Sequence, residues 1–318
     1  MTWDINFQSA DELVQTFKKH NNQAYDLFQK HPEYEEVLIK RAEEAGYNYF
    51  EVMNVGNAEE VIIFQLWEDI LSLFTEEEVS ELKKRVAIGL VNSGEHRARV
   101  ERTKYDVILI NYGMITFINQ CTKYKIASNE LEYIEFCDRK EPKTVTLDDI
   151  NTFYNELIGN YRTHGVPFGP LILLAKEADF LRGDMLYVKE LFIVSHELAH
   201  ILLDHREQSH EVEYHADHLA YRITKDVLTK KRIWLNEKFM LLALKDLFQD
   251  MQHLRGAVES PTHPQPYGRL LQLTTSYYGE KLANALKKAL LYGDNGEYEK
   301  LLSEIPDYPQ NVLQQGSD

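Results

Sequence analysis

The sequence predicts a mainly α fold of the α+β class. Apolar residues recur at three- and four-residue intervals through most of the chain, the signature of amphipathic helices. Only two short runs, Val107–Asn111 and Leu131–Phe136, read as strands. Glycine and proline gather mainly at Gly165, Pro167, Gly169 and Pro170, which marks one loop. With 318 residues, 44% of them hydrophobic, the chain can build one large core or two smaller ones.

In order, Ala10–Phe28, Tyr34–Ala45, Asn57–Phe74 and Thr75–Leu90 carry the helical pattern and make residues 1–100 an N-terminal helical region without a motif. Thr75 followed by three glutamates suits a helix start, because a hydroxyl and acidic groups both answer the free amides there. The second region spans 101–304. It opens on the Val107–Asn111 strand, whose edge is expected to be open to an extended substrate, and a helix restarts near Met114. Helices follow over Leu147–Tyr161, Leu186–Leu203, Ser209–Leu228, Glu237–Leu254 and Tyr267–Leu291. Leu186–Leu203 is apolar nearly all round and should be buried. Residues 305–318, with little apolar content, read as a flexible tail.

Composition narrows the function. A net charge of −16 argues against attraction to nucleic-acid phosphates. No apolar run is long enough to span a bilayer, and Met1–Glu12 has no basic, apolar leader. Cys121 and Cys137 are too few for a disulfide framework and fit reduced thiols. The expectation is a cytoplasmic protein with a protein or peptide substrate, no nucleic acid and no membrane insertion.

The chemistry concentrates in His196-Glu197-Leu198-Ala199-His200. On a helix, positions four apart share one face, so both imidazoles can grip one ion. Zn2+ suits neutral imidazole nitrogen. Glu197 is then placed as general base and proton shuttle. A third protein ligand is needed. The histidine six residues after the second, as in metzincins, is absent, because Arg206 stands there. Glu213 and Asp217 share a face of the next helix. One can bind the ion while the other bonds a ligand imidazole, and the small Ala216 lets the helix approach. His205, His210, His215 and His218 crowd the same region. They read as surface histidines, with His205 able to tune the site and His210 the competing ligand should Glu213 prove remote.

These residues, with Thr262-His263-Pro264 and Arg269 downstream, resemble the gluzincin peptidases related to HtpX and the CAAX prenyl proteases. The run Val107–Ile118 is similar to the strand, glycine and helix upstream of that family's active site. The resemblance implies a zincin-like metallopeptidase core, with His196, His200 and Glu213 as zinc ligands and Glu197 as base. It also implies that Asp217 supports the ligands from behind and that His263 assists at the catalytic centre. Membrane helices usual in that family have no counterpart here, nor has the N-terminal region. A weaker similarity is to cytosolic zinc peptidases of the phage-exclusion type, which implies a single host-protein target. The rival outside enzymology is a zinc-containing binding module without catalysis, in which Glu197 has no task.

Overall fold

The computed structural model describes residues 7–20, 36, 39–40, 43, 58–232, 234–256 and 260–305. Most of the helix expected over Tyr34–Ala45, the end of the one over Ala10–Phe28 and the tail beyond Ile305 lie outside the described residues. The protein is mainly helical with small sheets, as the periodicity predicts. It forms two compact units, Met1–Glu190 and Leu191–Asp318.

The first unit holds α1 (Ala10–His20), α2 (Ala58–Leu71), α3 (Glu76–Arg85), β1 (Val86–Val91), β2 (Ala98–Arg102), β3 (Asp106–Asn111), α4 (Tyr112–Asn129), β4 (Ile134–Cys137), α5 (Leu147–His164) and β5 (Ile172–Leu174). Thr75 caps α3 through a capping box with Glu78, as its sequence suggests. The helix does not reach Leu90, however. It stops at Arg85, and Val86–Val91 continues as a fully buried strand. The run Val-Ala-Ile-Gly-Leu-Val gains more from parallel pairing with β3 (Val86 opposite Asp106) than from another helical turn. β3 is also not an edge. It is central in the order β1-β3-β2, paired parallel on one side and antiparallel on the other, so it offers no free edge to a substrate. The expected division at residue 100 runs through this sheet, with β1 before it and β3 after it. Phe7, Leu13 and Val14 pack α1 onto Ala87, Val91, Val107 and Leu109 of β1 and β3. Strands β4 and β5 pair antiparallel in a separate sheet. Cys121 and Cys137 are buried free thiols.

Helix α6 (Lys176–Leu202) starts ten residues earlier than the periodicity indicates and carries the chain into the second unit. There follow α7 (His210–Lys231), α8 (Glu237–Arg255), α9 (Pro266–Tyr292, kinked at the non-helical Gly279) and α10 (Gly296–Ser303). Ser209 and Asn236 cap α7 and α8 by accepting the amides of Val212 and Phe239. Pro266 opens α9, where its missing amide costs nothing. Leu198, Ala216, Ala220, Leu244, Phe248, Leu270 and Leu273 are core residues of this unit, each at most 2% exposed. Among the described residues no helix is long and apolar enough to cross a membrane.

Candidate metal centre

Two helix segments of the second unit supply the donors. On α6, His196 and His200 lie one turn apart, and their Nε2 atoms approach to 3.1 Å. Glu213 sits in the first turn of α7, where Ser209 fixes the helix start. Its Oε2 is 3.5 Å from His196 Nε2, and its Oε1 is 3.7 Å from His200 Nε2. One ligand atom each from His196, His200 and Glu213 fall within 4.8 Å of one another. Two imidazoles and a carboxylate that close, with His196 and Glu213 buried, form a group that can hold a metal ion. The donor set fits a borderline cation such as zinc better than calcium or magnesium, which prefer oxygen-only cages.

Behind the donors lies a buried ion pair. Arg269, in the first turn of α9, donates from Nε to Asp217 Oδ2 at 2.7 Å and from Nη2 to Oδ1 at 2.5 Å. Asp217 Oδ1 also lies 3.0 Å from His196 Nδ1. With one proton held on Nδ1 by that carboxylate, it is Nε2, facing Glu213 and His200, whose proton a metal ion would displace to gain a lone pair. Arg269 Nη1 is 3.5 Å from Glu213 Oε2, so one guanidinium steadies both acids. Its far face covers the Phe248 ring, 5.5 Å from the centroid, and Phe248 in turn meets Phe192 edge-on. Sequence reading ranks Arg269 only as a faint echo of a motif. Geometry makes it the central cation of the site.

The electrostatics follow from this crowding. Burial and the Arg269 charge push His196 down, but Asp217 and Glu213 outweigh them and lift it to about 9. Burial, then the charge on His196, lowers His200 to about 3. Burial alone would raise Glu213 and Asp217. The neighbouring His196 and Arg269 reverse this and hold both carboxyls below the usual range. Burial alone would lower Arg269, but its two acids, with a contribution from Glu197, raise it. Glu197 is half-buried on α6, between the two histidines.

His263 reaches the rim of the cluster, with Nε2 3.7 Å from Glu213 Oε1 and its side chain 40% exposed. Its Nδ1 lies 2.8 Å from Thr262 Oγ1. Burial, opposed by Glu213 and aided by Arg255, Arg269 and His196, lowers its pKa. His210 does not join the donors. Its Nε2 donates to the Ser260 carbonyl at 2.7 Å and so ties α7 to the loop carrying His263. His205 meets His200, Nδ1 to Nδ1 at 3.0 Å, a contact no sequence spacing announces. Comparison with protein-family models, curated proteins and solved structures gives no match for this chain.

Proposed function

We propose that this chain is a cytoplasmic zinc-dependent peptidase, with the ion held by His196, His200 and Glu213. The observation that carries the reading is the convergence of those three donors around the helix turn that bears Glu197. Similarity of the His196–His200, Glu213–Asp217 and Thr262–Pro264 segments to gluzincin peptidases supports it. Zinc bound there supplies a Lewis acid that polarises a substrate carbonyl and acidifies water. Glu197 accepts the proton of the attacking water and delivers it to the leaving amine. His263, whose pKa burial lowers and whose Nδ1 meets Thr262, has Nε2 at the rim of the donor group and is the residue assigned to donate to the oxyanion. Asp217 and Arg269 hold His196 and Glu213 in place and touch no substrate.

The test is Glu197→Gln. The variant should retain stoichiometric zinc and lose about 10²–10⁴-fold of the wild-type cleavage rate. The substrate is found by comparing proteomes of cells expressing the two forms and taking the cleavage products unique to wild type. Full activity in Glu197→Gln sinks the base assignment. A zinc-free wild-type protein sinks the metal assignment.

A further inference from the structure

The active-site helix ends two residues beyond its second histidine, and the way it ends bears on that histidine. Leu203 donates its amide to Ala199, Asp204 to Ile201 at 3.1 Å, and His205 to His200 at 3.0 Å. Asp204 lies in the left-handed region, with φ 49°. This is a Schellman cap, in which the residue two past the cap bonds back to the carbonyl of the third-last helical residue. Such caps normally close with an apolar contact between those two side chains. Here both positions are histidines, His200 and His205. Their rings meet at 69° with centroids 5.1 Å apart, and the Nδ1 atoms are 3.0 Å apart.

A bond between two Nδ1 atoms needs one proton and one lone pair. His200 Nε2 is the atom that faces His196 Nε2 and Glu213. For it to offer a lone pair to an ion, the neutral ring must carry its proton on Nδ1. His205 Nδ1 must then accept. The two ligand imidazoles are thus backed differently, His196 by the buried Asp217 carboxylate and His200 by a neutral ring. His205 also lies near His215 of α7, with ring centroids 6.4 Å apart at 28°.

We propose that the α6 cap is a positioning device for the metal ligand His200, with His205 as the residue that fixes its tautomer and ring orientation. The inference rests on the metal reading above. It is tested on the full chain by zinc competition against a chromophoric chelator and by the visible spectrum of the cobalt-substituted protein. His205→Phe keeps the ring and removes the acceptor. It should weaken zinc binding about 10–100-fold, the usual cost of losing a partner behind a ligand histidine, and alter the cobalt bands. His205→Asn places an oxygen near the lost nitrogen and should stay within about threefold of wild type, with the wild-type cobalt spectrum. Circular dichroism and melting of each variant establish folding. A stoichiometrically loaded wild type with His205→Phe binding as tightly overturns the inference and leaves the metal reading intact. Equal losses in Phe and Asn variants overturn it too, because the acceptor is then irrelevant. A wild type that binds no zinc overturns both.

Discussion

Asp217 Oδ1 faces two donors at once, Arg269 Nη2 at 2.5 Å and His196 Nδ1 at 3.0 Å, with no solvent exposure. A buried charge of this kind is tolerated only because it is paired, and removing one partner leaves the other exposed to the full cost of desolvation. Asp217→Asn keeps the shape and deletes the charge. It should destabilise the protein by about 3–5 kcal/mol and weaken zinc binding about 10–100-fold. Urea unfolding and chelator competition measure the two effects. A loss below about 1 kcal/mol would show that Glu213, 3.5 Å from Arg269 Nη1, is counter-ion enough and that the Asp217 charge is not needed. His196, Glu197 and His200 are legible in sequence because a fixed helical period converts spacing into geometry. Arg269 is not, because its partner lies 52 residues away and nothing local specifies where a long guanidinium arm will end. Glu213 and Asp217 stand between these cases. Their spacing shows a shared face, but which one meets the ion depends on how α7 lies against α6.

At the scale of elements, α4 starts directly where β3 ends, and the junction is tight. Gly113 donates to the Ser93 carbonyl at 2.8 Å. A Cβ on Gly113 would lie 1.9 Å from the Gly94 carbonyl oxygen and 2.2 Å from its carbon, which are backbone atoms that cannot rotate aside. Gly113→Ala should therefore cost at least about 1–3 kcal/mol, as overpacking does. Gly159 is the control. It is inside α5, and a methyl group added there would meet nothing within 4 Å. Gly159→Ala should stabilise by up to about 1 kcal/mol through helix propensity. Urea midpoints of the two variants should move in opposite directions, and movement the same way would contradict the packing at the junction. The same sheet shows where periodicity misleads. Val86–Val91 is apolar throughout, so it carries no period, and it reads as a helical extension until its parallel partner 20 residues on is known. α7 and α8 have polar faces and caps of their own, and their observed bounds lie within three residues of the expected ones. The outer bounds of α9 agree as closely, but Gly279 (φ 81°) breaks it into two helical segments where a single helix is expected.

For the whole molecule, all three donors belong to Leu191–Asp318, two from α6 and the third from α7. An ion held by both α6 and α7 binds the native arrangement and not the open one. Its removal must therefore lower the free energy of every opening that separates those helices. The expected size is RT ln(1 + [Zn2+]/Kd), about 2.7 kcal/mol at a hundredfold excess over Kd. Hydrogen exchange reads this segment by segment. Chelation should speed exchange about 100-fold in the amides of 196–224, where α6 ends and α7 runs. Amides of β1, β2 and β3, in the unit that supplies no ligand, provide the reference for global effects. Readdition of zinc should restore protection, and magnesium, which prefers oxygen ligands, should not. Unchanged exchange over 196–224 after complete removal of bound metal would mean that the His196, His200 and Glu213 group is held together by the protein alone. The pairing of Asp217 with Arg269 would then carry the site without help.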